Sequence, residues 1–138
     1  MSKKTFLDNM NMYFVQGKET TTNIYFIVNV IHKNKDWLNR IKIGFSDNID
    51  NRIASMQTGN PYPLKVWYSF KIEKSRSCKI EKSLHAKFKW CRESGEWFYI
   101  RACIREWIAL HKSLTIHYTK NKPKCIKRKQ QVVSNVKR

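Results

Sequence analysis

"RIKIGFSDNIDNRIASMQTGNP", residues 40–61, is the stretch on which the reading of this chain turns. Ile41, Ile43 and Phe45 alternate with Lys42 and Gly44, the period of a half-buried strand. A helix follows at once, with Ile49, Ile53 and Met56 at helical spacing. Ser46 or Asp47 is its expected N-cap, and Asp50 stands three residues after Asp47, as in a capping box. Gly59 and then Pro61 supply the expected stop. The helix carries Arg52 beside its apolar stripe, where a guanidinium needs a partner. Two readings compete: Lys42 faces water from an outer strand, or Lys42 and Arg52 meet over a phosphate.

The flanking sequence supplies the rest of the fold. "NIYFIVNVI", 23–31, is a near-continuous apolar and β-branched run, as expected of a central strand, and "HKNKDWLN" turns it back into a hairpin. In "LKVWYSFKI", Leu64, Val66, Tyr68, Phe70 and Ile72 alternate with Lys65, Trp67, Ser69 and Lys71, which predicts a third strand with one wetter face. A second helix is expected from about Ser75 to Phe88, burying Ile80, Leu84 and Phe88. "RESGEWFYI" reads as a turn and a short extended piece, and a last helix from about Arg101 buries Ile104, Trp107, Ile108 and His111. This order of elements predicts a small α+β domain with a mainly antiparallel sheet.

The 138 residues make one domain's worth of chain, with 41% hydrophobic and 13% aromatic residues to fill a single core. Twenty-eight lysines and arginines against 10 acids give a net charge of +18, which points to a polyanionic partner. Beyond Glu106 there is no acid, and residues 107–138 hold nine basic residues, half of the net charge. Residues 114–138 read as a basic tail in which Lys120, Lys122, Lys124, Lys127, Arg128 and Lys129 are candidate nucleic-acid contacts; the competing reading is a solvated charge run. Residues 1–22 read as a mixed, polar N-terminal extension. No apolar run reaches the roughly 18 residues of a membrane span, and the first ten residues lack a secretory signal, so no membrane role and an intracellular location are expected: cytoplasm or nucleoid, or nucleus or virus factory. Cys78, Cys91, Cys103 and Cys125 show no zinc spacing and read as buried free thiols.

Few residues remain to carry chemistry. Glu81 and His85, four apart, share one side of the second helix at the edge of its apolar stripe. They are either an ordinary polar pair or the start of a site, and Glu81 is the best-placed hard oxygen ligand for magnesium. Tyr25, inside the first strand, is either a core aromatic or a functional phenol.

"NIYFI", "IKIGFS", "NRIASMQTGNPYPLK", "IEKSLHAKF" and "GEWFYI", in this order, resemble the GIY-YIG nuclease superfamily, and within it the branch named after an open reading frame of bacteriophage T5. The resemblance covers roughly residues 23–113 and implies a three-stranded antiparallel sheet flanked by helices. Asn23-Ile24-Tyr25 stands where the family has Gly-Ile-Tyr, and Lys42-Ile43-Gly44 where it has Tyr-Ile-Gly. Arg52 falls at the arginine that contacts the scissile phosphate, and Glu81 at the metal-binding glutamate. The implied activity is hydrolysis of a DNA phosphodiester with Mg2+ or Mn2+ on Glu81, charge stabilisation by Arg52, and orientation or deprotonation of water by Tyr25 and Lys42.

The chain departs from the family pattern twice. Lysine replaces the second tyrosine at Lys42, and Met56 stands where the family often has His or Tyr, leaving His85 as a substitute proton carrier. Glu96 either completes the site or caps a turn. The expected partner is double-stranded DNA. The rival expectations are a non-catalytic nucleic-acid-binding module of the same fold, and a small RNA-binding protein.

Overall fold

The computed structural model describes residues 10–17 and 20–120. Among them, five strands form one antiparallel sheet in the order β3-β1-β2-β5-β4, joined by three α-helices. The strands are β1 (Thr21–Asn29), β2 (Arg40–Ser46), β3 (Leu64–Glu73), β4 (Arg92–Ser94) and β5 (Trp97–Tyr99). The helices are α1 (Ile49–Gln57), α2 (Ser77–Lys87) and α3 (Ala102–Lys120). The α+β class is as expected, but the sheet has five strands where three were expected. "RESGEWFYI" makes the difference: it folds as a tight hairpin, with Gly95 at a φ of 54°, and docks on β2 along Arg40, Ile41 and Lys42. Strands of three residues are too short to show a period in the sequence.

β1 is central, and its apolar run Ile24–Ile27 is buried on both faces. Opposite it on β2, Gly44 faces Tyr25 and Lys42 faces Ile27. Against β3 the register slips: Phe26 faces Tyr68 but Ile27 faces Val66, so Trp67 is the extra residue of a β-bulge. The uniform alternation expected for β3 therefore fails. Leu64 and Val66 share the face of Tyr25 and Ile27, whereas Tyr68, Phe70 and Ile72 share the face of Ile24 and Phe26. One inserted residue reverses every side chain beyond it.

The N-cap of α1 is Asn48, whose Oδ1 accepts from Asn51 N at 3.0 Å, and neither Ser46 nor Asp47 fills that role. Ser46 Oγ instead accepts from Asn48 N (3.1 Å), and Asp47 pairs with Lys74 at 2.7 Å. Gly59 takes no left-handed conformation either. Gln57 closes the turn, donating through Nε2 to Asn60 O and Tyr62 O and accepting from Leu64 N. On the Tyr25 face, Tyr25, Ile27 and Leu64 pack with Ile49, Ile53 and Met56 of α1 and with Trp97.

The Phe26 face is closed by rings. Trp107 lies 5.1 Å from Tyr13, 5.8 Å from Phe26, 5.9 Å from Phe70 and 6.4 Å from Phe88, centroid to centroid. Tyr13 belongs to the segment read as a polar extension, yet Met10, Tyr13 and Phe14 are all buried. The anchor of that segment is Glu73 at the end of β3, whose carboxylate accepts from the backbone N–H groups of Gln16 and of Gly17 (2.6 Å) and from Arg76. Burial pushes its carboxyl up, but these donors outweigh it and hold the group below the usual carboxylate range. Ile104, Trp107 and Ile108 of α3 are buried as expected. Residues 109–138 form a second unit, within which His111 is buried and Thr115 donates to His111 O at 2.8 Å.

One expectation about side chains changes. Cys91 is buried, but Cys78 and Cys103 are exposed, Cys103 with its Sγ 3.4 Å from Cys91 Sγ, and Cys125 lies outside the described residues. In the basic tail, α3 ends at Lys120, while Lys122, Lys124, Lys127, Arg128 and Lys129 lie outside the described residues.

Candidate active site

Tyr25 reaches from β1 across to β2 and lies over Gly44. A Cβ at that glycine would stand 2.6 Å from the phenol oxygen and 2.9 Å from Cζ, so the ring occupies the space that any side chain would need. This explains the glycine after Lys42-Ile43: it is there for Tyr25. Arg52, on α1, donates through Nε to the Tyr25 hydroxyl at 3.4 Å. Burial pushes the phenol up, Arg52 pulls it part of the way back by hydrogen bond and charge, and Glu96 and Glu81 push it up again. Tyr25 is therefore a neutral phenol at neutral pH. Arg52 is itself exposed, with its guanidinium held further toward the charged form by the Tyr25 hydrogen bond, and its two Nη groups have no partner among the described residues.

Lys42 points to the same face, two residues from Gly44. Its side chain is 17% exposed, with Nζ 3.4 Å from Glu96 Oε1 and 5.6 Å from the centroid of the Trp97 ring. Glu96 is fixed in turn by its carbonyl, which accepts from Ile43 N at 3.2 Å. Glu81, on α2, belongs to the same electrostatic group. Burial raises its pKa first and the negative charge of Glu96 second, while His85, Lys42 and Lys82 lower it. The net effect is upward: burial penalises the carboxylate, and the Glu96 charge adds to it.

Tyr25, Lys42, Arg52 and Glu81 thus converge. His85 comes close to them but is engaged differently. Its Nε2 donates to Ile43 O at 2.8 Å, and its ring lies edge-on to Phe98 at 5.1 Å. A carbonyl only accepts, so that nitrogen carries its proton and ties α2 to β2. Met56 packs into the cluster of Tyr25, Ile27 and Leu64. Glu96, which the sequence left open, is the acid beside Lys42; the signal was available, since a carboxylate is scarce here and this one follows the turn glycine.

Among the described residues no three His, Cys, Asp or Glu side chains gather into a ready metal cage. The donor set is Glu81, with Glu96 close enough to raise its pKa. Mg2+ is commonly held by one or two carboxylates, with water and substrate phosphate completing its shell, so the hard oxygen donors of Glu81 and Glu96 fit such an ion.

The T5orf172 domain matches residues 22–117, well over half of the chain. This chain belongs to the T5orf172 family. That family is one of nuclease-like, DNA-binding modules within the GIY-YIG-like superfamily, which points to a nucleic-acid partner. The T5orf172 match runs from β1 into α3 and includes Tyr25, Lys42, Arg52, Glu81 and Glu96. Comparison with curated proteins and with solved structures gave no match. Among the described residues no helix is long and apolar enough to cross a membrane.

Proposed function

We propose that the protein is a divalent-metal-dependent endonuclease that hydrolyses phosphodiester bonds of double-stranded DNA. The observation that carries this reading is Tyr25 seated on Gly44 with Arg52 at its hydroxyl, beside Lys42 and the Glu81–Glu96 pair. Arg52 offers its free Nη groups to a non-bridging phosphate oxygen and stabilises the charge that grows there. Tyr25, kept neutral, donates its hydroxyl proton as a hydrogen bond to the phosphate or the attacking water while accepting from Arg52. Lys42, paired with Glu96, meets the phosphate and orients or deprotonates the attacking water. His85 positions α2 against β2 through Ile43 and so sets where Glu81 stands. Glu81 would hold Mg2+ or Mn2+, which when bound supplies positive charge to the phosphate and the leaving oxygen. Surface lysines and the basic tail contribute phosphate contacts that do not depend on sequence.

Nicking of supercoiled plasmid in Mg2+ tests this. Glu81→Gln should lower the rate by about a thousandfold or more, while duplex binding stays within a few fold because no basic residue is lost. Full activity in that variant removes Glu81 as the metal ligand. Lys42→Arg with parental activity and an unchanged pH profile limits Lys42 to phosphate binding.

A second reading is a non-catalytic nucleic-acid-binding module. The pairing of Lys42 with Glu96 and the packing of Met56 against the Tyr25 cluster favour it, since neither leaves an obvious free base. Tight duplex binding with no cleavage in Mg2+ or Mn2+ selects it, and competition between duplex DNA and duplex RNA identifies the ligand.

A further inference from the structure

On the Tyr25 face, just past Lys42, the sheet opens into a concavity of about 420 Å³ lined by Asn29, Arg40, Asn60, Glu93, Ser94 and Trp97. Its place follows from the register. Trp97 stands opposite Lys42, Arg40 is two residues from Lys42 on the same side of β2, and Asn29 stands opposite Arg40. The volume lies within the range of about 300–1,000 Å³ usual for small-ligand sites.

The lining is built to receive a neutral, flat, polar-edged group. Arg40 is clamped: Nε donates to Glu93 Oε1 (2.8 Å), Nη1 donates to Leu38 O (3.0 Å) and Asn39 O (3.3 Å), and the guanidinium sits 4.1 Å from the centroid of the Tyr99 ring. Its charge is cancelled by Glu93, so a second phosphate finds no net attraction there. Asn29 Oδ1 is buried with no hydrogen-bond partner, an acceptor that costs stability until a donor arrives. Asn60 Oδ1 accepts from Tyr62 N at 3.0 Å, which leaves its amide N–H groups to donate. Trp97 supplies an aromatic wall, and the Lys42 ammonium lies 5.6 Å from its centroid, so a phosphate held by Lys42 brings the adjoining nucleotide to that wall.

We propose that this concavity takes the base of a nucleotide turned out of the DNA stack beside the bound phosphate, and that the base carries an exocyclic amino group, as adenine and cytosine do. Trp97 stacks on its face, Asn29 Oδ1 accepts from the amino group, and Asn60 donates to a ring nitrogen or carbonyl. The inference rests on reading the neighbouring site as a DNA phosphodiester site. It adds that the protein distinguishes an unpaired or easily unpaired base from a paired one, because extruding a base costs least where pairing is already lost.

The test is equilibrium binding by fluorescence anisotropy, in EDTA, to a fully paired duplex and to the same duplex with one unpaired adenine. The parent protein should prefer the unpaired adenine by at least about tenfold, and an unpaired thymine less. Ser94→Trp, at an exposed edge position, should fill the concavity, and Asn29→Leu should remove the acceptor. Both should abolish the preference while affinity for the paired duplex stays within about twofold, since phosphate contacts set that affinity. Equal affinity of the parent for both duplexes overturns the proposal, as does an undiminished preference in Ser94→Trp or a preference for thymine as strong as for adenine. Millimolar deoxyadenosine without DNA provides the control for a free-nucleoside site. A shift of the Trp97 indole resonance together with equal duplex affinities assigns the concavity to a free nucleoside and overturns the extruded base. No divalent ion is present, so failure here leaves the nuclease reading standing, and failure of plasmid nicking leaves the base preference measurable.

Discussion

The two faces of the sheet are built from the same three long strands and have opposite characters. The Phe26 face is closed by rings from four separate parts of the chain around Trp107. The Tyr25 face is covered at one end by α1, which brings Arg52 to Tyr25, and opens at the other beside Lys42, Glu96 and the buried, unpaired Asn29 oxygen. Rings packed edge-on or tilted around Trp107 hold the fold, with the Tyr13 hydroxyl 2.7 Å from Ser83 Oγ, and that leaves the other face able to carry the charges of the site. Alternation along β1 is what permits this division, with Tyr25 and Phe26 adjacent in sequence and back to back in space.

The sharpest way to break the comparison is to remove the ring that four others meet. Trp107→Ala should lower stability by about 3–5 kcal/mol, read from urea denaturation, and should unfold the site along with the core. A loss below about 1 kcal/mol would mean that the Phe26 face is not what holds the fold. Glu73→Ala comes next, at about 1–3 kcal/mol, because the backbone donors of Gln16 and Gly17 and the Arg76 guanidinium lose the buried carboxylate that accepts from them. The same group gives the parent an acid sensitivity with a definite sign. The folded pKa is depressed, so the stabilisation is complete above the unfolded value of about 4.3 and is lost as pH falls through the folded one. Urea midpoints for the parent should therefore decline below about pH 4, and Glu73→Ala should flatten that decline.

Gly44→Ala tests the Tyr25 face directly. A methyl 2.6 Å from the phenol oxygen must displace a ring that is 1% exposed, at a cost of about 1–3 kcal/mol. Plasmid nicking should fall further than that stability loss explains, since Tyr25 leaves Arg52; parental nicking would show that the contact between Tyr25 and Arg52 is dispensable. The smallest effect is expected from Glu96→Gln. Removing that charge should lower the Glu81 pKa, seen in the carboxyl carbon shift of labelled glutamate. An unmoved Glu81 titration would separate the two carboxylates.

Much of this was legible in the chain. The strand–helix sequence of residues 40–61 was clear because both periods are long enough to show; Lys42, Arg52 and Glu81 stood out by type and position, and the resemblance to the family is what joined Tyr25 to them in one site. The errors have a common origin in local choices that neighbours settle. Asn48 rather than Ser46 or Asp47 caps α1, since Lys74 holds Asp47 and Ser46 bonds to the turn. The bulge at Trp67 reversed half of β3, and no residue preference announces a bulge of this kind. Met10, Tyr13 and Phe14 looked like part of a polar segment, and their burial depends on Glu73, fifty-seven residues beyond Gln16.

By itself the sequence determined the element types, the α+β class, the excess of positive charge and the residue kinds fit for a phosphate, because each depends on composition or on contacts within a few positions. Tertiary structure alone decided that Tyr25 fills the space over Gly44, that Glu96 sits at Lys42, that His85 spends its proton on Ile43 O, and that β4 and β5 extend the sheet. Those are pairings between strands and helices far apart along the chain, fixed by register and packing, and a one-residue slip at any of them would place a different side chain at the site.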